Sequence, residues 1–110
     1  MGKFSRNKGK AGEREFARMC RQFGYDTRRT AQYRGNTGDA GDVEGLPGIH
    51  VEVKRTETLR AWDYMEQSIH DAAKKGDIPI VAWRKNEHPW LVLIGFEDFM
   101  QLYQSWEAER

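Results

Sequence analysis

Between Ile49 and Lys54 the chain alternates apolar and polar residues without a break. A period of two is the mark of an extended strand, whose successive side chains point to opposite faces. Ile49, Val51 and Val53 share one face, and His50, Glu52 and Lys54 share the other. The segment predicts a half-buried strand carrying a carboxylate and an ammonium two residues apart. Such a strand cannot stand alone. It needs neighbouring strands and a covering helix, and the rest of the sequence must supply them.

A helix is expected from Gly12, with Phe16, Met19, Cys20 and Phe23 at helical spacing, Arg14, Arg18 and Arg21 opposite, and Gly24 at its end. Residues 25–30 fit a strand, 32–40 a loop, Asp42-Val43 a short strand and Leu46-Pro47-Gly48 a turn. A second helix spans roughly Leu59 to Lys75, with Trp62, Met65, Ile69 and Ala72 or Ala73 on its core stripe and Gly76 closing it. Ile78 to Trp83 reads as a strand and Asn86 to Pro89 as a turn. The continuous apolar run Trp90 to Ile94 predicts a strand buried on both faces. A last helix, Phe96 to Glu107, offers Phe96, Phe99, Met100, Tyr103 and Trp106 as a core face. The four tryptophans, Trp62, Trp83, Trp90 and Trp106, thus all fall on core stripes. The order α-β-β-β-α-β-β-α predicts an α/β fold, a mixed β-sheet flanked by helices. At 110 residues one domain is expected, over residues 11–107, behind a flexible basic arm at residues 1–10.

Composition removes several classes. A hydrophobic fraction of 38% is too apolar for a disordered chain. The single cysteine, Cys20, excludes a disulfide framework and a Cys-rich zinc site, and reads as a small buried hydrophobe. No apolar run approaches the roughly 20 residues of a membrane span, and the basic N-terminus lacks the apolar core of a signal peptide. A soluble, cytoplasmic protein is expected, in the host cytoplasm if the chain is viral.

The net charge of +1 conceals an uneven distribution. Residues 1–34 carry ten basic residues (Lys3, Arg6, Lys8, Lys10, Arg14, Arg18, Arg21, Arg28, Arg29 and Arg34) against three acids, a net +7. The remainder carries eight basic and fourteen acidic residues, a net −6. A concentrated positive field attracts phosphate backbones, so those ten residues are candidate DNA contacts; a solvated tail is the plainer alternative. Tyr25 and Tyr33, between arginines, are candidates for base stacking. His70 and His88 read as surface residues; His50, sharing a face with Glu52 and Lys54, reads as a strand-end residue near the edge of a site, with a metal ligand or general base as the alternative.

Chemistry concentrates at Asp42, Glu52 and Lys54. Two carboxylates on adjacent strands can share a hard divalent cation through oxygen ligands. A lysine beside them can orient or deprotonate a water and offset charge developing on a phosphate. A surface ion pair on a solvated strand is the bland alternative. Glu13 lies about 60° around the helix from Phe16. It could point toward the sheet, or simply complement the helix dipole.

Gly9-Lys10-Ala11-Gly12-Glu13-Arg14-Glu15, Gly41-Asp42-Val43, Val51-Glu52-Val53-Lys54 and Gln67 together resemble the PD-(D/E)XK nuclease superfamily. More narrowly they resemble the archaeal-type Holliday-junction resolvases and their phage relatives, over about Gly9 to Tyr103. The resemblance implies a restriction-endonuclease-like fold. It makes Glu13, Asp42 and Glu52 metal-binding acids, with the Val53 carbonyl a further ligand. Lys54 becomes the catalytic lysine and Gln67 a glutamine near the site. It also implies Mg²⁺ or Mn²⁺ as cofactor, branched DNA as substrate and a homodimer as the working form. Gly41 stands where the name-giving proline would be, and Thr37 where resolvases often carry a serine important for cutting.

The function expected is therefore a metal-dependent endonuclease resolving four-way junctions. A nonspecific or flap-cutting nuclease of the same superfamily would use the same residues. A non-catalytic DNA-binding protein would use the basic face but gives Asp42 and Glu52 no reason to meet.

Overall fold

Apolar stripes of period two and period 3.6, alternating along the chain, assemble into one sheet with a helix on each face. The computed structural model describes the backbone of residues 3–31 and 40–110, with side chains from residue 9 onward in those ranges. Its elements are α1 (Lys3–Gln22), β1 (Arg28–Arg29), β2 (Val43–Glu44), β3 (Ile49–Arg55), α2 (Ala61–Ala72), β4 (Ile78–Arg84), β5 (Leu91–Ile94) and α3 (Phe96–Ala108). The strands lie in the order β1-β2-β3-β4-β5. β3 and β4 pair in parallel, and the other neighbours are antiparallel. The parallel pair follows from chemistry: strands running the same way need a crossover, and α2 is that crossover. This is the mixed α/β fold, in the element order, that the sequence predicts.

The core is split by the sheet. On one face Phe16 and Ala17 of α1 pack against Val43, Val51, Val53, Ile80 and Ala82. On the other, Met65 of α2 packs with Val81 and Trp83, and Ser68 donates to the Ile80 carbonyl oxygen at 3.0 Å. Both faces of β3 are thus covered. His50 and Glu52, expected on a half-buried strand, are only 3% exposed. The alternation marked the two faces correctly, but both became interior because a helix lies over each.

Several boundaries differ from the expectation. α1 starts at Lys3 rather than Gly12, so the backbone of the stretch expected as an irregular arm is its first turns. Lysine, arginine and alanine all propagate a helix once a packed segment has nucleated it. The strand expected over residues 25–30 shrinks to Arg28–Arg29. Phe23 lies beyond the last turn of α1 and is exposed, while Gly24, with φ of 95°, ends that helix as expected. On α2 the buried positions are Met65, Ser68 and Ala72, whereas Trp62 and Ile69 are exposed.

The largest correction concerns the C-terminal third. β5 is an edge strand, with Leu91 and Val92 exposed, not a strand buried on both faces. α3 has no buried residue, and Phe96, Phe99, Leu102, Tyr103 and Trp106 all face outward. Trp90, Leu93 and Ile94 of the apolar run pack against the core, but nothing among the described residues covers Leu91, Val92 or the aromatic stripe of α3. Trp106 and Trp62 are therefore surface residues, while Trp83 is buried and Trp90 partly so.

One ion-pair network staples α1 to the sheet. The Glu15 carboxylate accepts from Arg84 and from Trp90 Nε1, and Arg55 lies 3.9 Å away. Burial alone would raise its pKa, but these donors and charges outweigh it and hold the group below the usual carboxylate value.

Gly45 allows the β1–β2 ladder to close on Asp26 and Thr27. Its φ is 113°, and a Cβ there would overlap the Asp26 carbonyl and sit 2.7 Å from Thr27 Cα. Gly45→Ala should cost roughly 1–3 kcal/mol in urea unfolding. An unchanged midpoint would mean that the turn relaxes freely.

Candidate active site

Three glycines and a ladder bring the acids together. At Gly12 α1 lies so close to β3 that a Cβ would come 2.5 Å from Arg55 Cγ, which lets the next residue, Glu13, face the sheet. At Gly41 a Cβ would come 2.6 Å from the Val51 carbonyl oxygen. The neighbouring Asp42 N–H donates to that same oxygen at 2.7 Å. This approach leaves no room for a side chain at Gly41. Gly45 completes the turn that returns the chain to β3.

These contacts converge on a cleft of about 620 Å³ lined by Glu13, Asp42, Glu52, Val53, Lys54, Arg55, Thr56, Glu57, Tyr64 and Gln67, with Gly9 at its margin. Every described residue expected at the catalytic centre lines it. Thr37 and Arg34 lie outside the described residues.

The carboxylates crowd one another. Burial, then the neighbouring Glu52 charge, pushes Asp42 up to about 8, despite the Val53 N–H that donates to its Oδ2 at 2.8 Å. The Glu13 charge and a hydrogen bond shared with Glu52 add to the rise. At neutral pH Asp42 therefore keeps its proton. Burial also raises Glu13, partly offset by Arg29, whose Nε donates to Glu13 Oε1 at 2.7 Å. A partly buried set of oxygen donors that must hold a proton to coexist suits a hard divalent cation, which would displace that proton.

Lys54 Nζ donates to Gln67 Oε1 at 3.1 Å and lies 5.5 Å from the centre of the Tyr64 ring. Tyr64 is in turn anchored by Thr56, its hydroxyl 2.9 Å from Thr56 Oγ1. Sequence reasoning missed Tyr64, although it precedes Gln67 by three residues on α2 and so shares its helix face. His50 lies near the start of β3 and beside the cleft as expected, but it is buried, with Nε2 2.9 Å from Glu52 Oε1. Asp71 of α2 brings a carboxylate oxygen within 4.8 Å of both.

The basic residues divide. Lys10, Arg14 and Arg18 are exposed along α1. Arg21 donates to the Thr27 carbonyl, and Arg28 pairs with Glu44, both at exposed positions. Arg29 is committed to Glu13. Lys3, Arg6 and Lys8 lie on the first turns of α1 by their backbone. Tyr25 is exposed, and Tyr33 lies outside the described residues.

An acid on the first helix, an acid just ahead of the second strand and a Glu-x-Lys on the third, around a mixed sheet, define a nuclease of the PD-(D/E)XK class. Residues 4–109 match the family described as "Phage putative PDDEXK endonuclease", and the chain belongs to that family. Its fold is shared with the solved structure of Hjc, a Holliday junction resolvase of Archaeoglobus fulgidus. The TM-score is 0.59 at 22% identity, over 79% of this chain and 72% of that one. No curated protein matches the sequence significantly. Among the described residues no helix is long and apolar enough to cross a membrane.

The raised Asp42 pKa gives a signed prediction for the metal-free protein. Between its unfolded value of 3.8 and its folded value of about 8 the native state holds a proton that the unfolded state has released. That group's contribution to stability therefore falls as pH rises across this window. Asp42→Asn should be relatively more stable than the parent at pH 8 than at pH 5 in urea titrations. Parallel stability curves for the two proteins would contradict the proton retained on Asp42.

Proposed function

We propose that this chain is a divalent-metal-dependent DNA endonuclease that acts on branched DNA, four-way junctions foremost, as a homodimer. The observation that carries the reading is the meeting of Glu13, Asp42, Glu52 and Lys54 in one cleft beside an arginine-bearing helix. A purely DNA-binding protein has no use for three carboxylates in one cleft, two of which burial pushes toward the neutral form.

Glu13, Asp42, Glu52 and the Val53 carbonyl would hold Mg²⁺ or Mn²⁺. When bound, the ion supplies Lewis acidity toward the phosphate and a more acidic water. The protein's own groups do the rest. The Val53 N–H and Arg29 fix one oxygen each of Asp42 and Glu13. Lys54 positions the attacking water and offsets charge growing on the phosphate oxygens, while Gln67 and the Tyr64 face hold its ammonium in place. Lys3, Arg6, Lys8, Lys10, Arg14, Arg18, Arg21, Arg28 and Arg34 track phosphates and set register without reading bases. Arg29 does so only if it turns from Glu13. Thr37 joins the catalytic set as the counterpart of the resolvase serine.

The junction preference is supported by the fold shared with a Holliday junction resolvase. Labelled four-way junction, duplex, flap and single-stranded DNA, each with Mg²⁺ or EDTA, test it. The junction should be cut fastest, and only with metal; equal rates on flap or duplex would favour the broader branched-DNA or nonspecific nuclease. Lys54→Ala should lower the cutting rate by roughly 100-fold or more. Its junction affinity should stay within a few-fold of the parent. A variant cutting at the parent rate would remove Lys54 from the chemistry.

The homodimer is supported by the uncovered C-terminal third. Trp62, Ile69, Val92 and Phe96 line an apolar groove of about 520 Å³ between α2 and β5, and α3 extends from it with its aromatic stripe outward. An exposed apolar patch of this kind beside an open strand edge marks an interface. A two-fold dimer through it supplies the two symmetric cuts that a junction needs. Light scattering should give twice the mass of one chain, falling toward one chain in a Phe99→Glu, Trp106→Glu double variant. A single-chain mass for the parent, unchanged by junction DNA, would contradict the dimer.

A further inference from the structure

Glu13, Asp42 and Glu52 each have one oxygen tied to the protein. Arg29 holds Glu13 Oε1, and the Val53 N–H holds Asp42 Oδ2. The third tie is of another kind: Glu52 Oε1 lies 2.9 Å from His50 Nε2, and both residues are 3% exposed. An imidazole on the central strand loses its water at a cost unless its nitrogens find partners, so packing alone gives no reason for histidine here. His50 does not line the cleft that contains Glu13, Asp42 and Lys54; it borders a separate recess with Lys75 and Asp77. Glu52 connects the two, and Asp71 of α2 lies within 4.8 Å of both His50 and Glu52. His50 is thus placed to act on Glu52 and not on a substrate in the cleft.

We propose that His50, backed by Asp71, is a positioning residue for Glu52. Its Nε2–H holds Oε1 and leaves Oε2 for the cation. The inference rests on the metal-dependent reading above, and adds to it a buried side chain that sets cation affinity from behind the ligand set. Outer contacts of this type typically change metal affinity by about 10- to 100-fold when removed.

The test is Mn²⁺ binding, by electron paramagnetic resonance and calorimetry, to the whole chain and to four variants. His50→Gln keeps an N–H at the reach of Nε2, and His50→Asn keeps the polarity but is too short. His50→Asn should bind Mn²⁺ about 10- to 100-fold more weakly than the parent. His50→Gln should recover to within a few-fold, and Asp71→Asn should fall between the two. In the cutting assay His50→Asn should raise the Mn²⁺ concentration needed for half-maximal rate more than it lowers the rate at saturation. Folded His50→Asn binding Mn²⁺ as tightly as the parent would overturn the proposal. Two Mn²⁺ per parent chain, one lost in both His50 variants and in Asp71→Asn, would also overturn it, since His50 would then be a ligand itself. The control is Asp42→Asn. If it binds Mn²⁺ no more weakly than the parent, the cleft is not the cation site, and the metal-dependent reading falls together with this inference.

Discussion

Carboxylate repulsion in a water-poor cleft sets the terms for the rest of the molecule. Two like unit charges 4 Å apart repel by roughly 4 kcal/mol at an effective dielectric of 20. Glu13, Asp42 and Glu52 line one cleft, and burial first, then the Glu52 and Glu13 charges, make Asp42 keep its proton up to about pH 8. The fold around them restrains what would otherwise spread apart. An arginine from the first strand, a ladder N–H and a buried histidine each take one oxygen. The restraint has a use only if something cationic enters, because a stable metal-free core would carry apolar residues at these positions. The unfavourable arrangement is thus the strongest physical argument that the cleft is a working site.

That arrangement in turn dictates the architecture. β3 carries Val51 and Val53 toward α1, and His50, Glu52 and Lys54 toward α2, so a helix is needed on each side. Close approach does the rest. Gly12 lets α1 reach Arg55, and Gly41 lets the Asp42 backbone reach Val51. Any side chain at either glycine would move an acid away from its neighbours. On the opposite side Lys54 is steered by Gln67 and Tyr64, three residues apart on one face of α2. The site is therefore a property of how two helices sit on one strand, and no single element contains it.

This explains what the sequence could and could not reveal. The element order was legible because alternation and helical spacing are local patterns. The acids, Lys54 and Gln67 of the cleft were legible too, through short motifs read in combination, whereas Tyr64 was not. What was not legible depends on neighbours distant in sequence. His50 alternates with apolar residues as any solvent-facing residue would, and only the position of α2 shows that it is buried. Arg29 sits in a basic stretch, and only the approach of α1 shows that it faces Glu13. The run Trp90 to Ile94 has the composition of a doubly buried strand but becomes an edge, because the helix after it does not fold back. Composition reports that a surface wants covering; it does not report whether the cover lies in the same chain.

For α3 the charge pattern narrows what that cover can be. Its aromatic side chains form a continuous run, with Phe99 and Tyr103 ring centres 6.4 Å apart and Tyr103 and Trp106 5.6 Å apart. Exposed aromatics on a nuclease suggest base stacking, but stacking platforms are accompanied by positive charge that holds the backbone. α3 carries Glu97, Asp98 and Glu107 and no basic residue of its own, with the Arg110 guanidinium 5.3 Å over the Trp106 ring at its end, so along its length it is net acidic. The basic residues lie instead along α1, on the other covered face of the sheet. Electrostatics thus separates the basic helix from the aromatic one. An acidic helix with an apolar stripe fits a protein surface, and the apolar groove between α2 and β5 supplies one of matching chemistry in every copy of the chain. A pair joined there would keep both basic helices free for the two arms of one substrate.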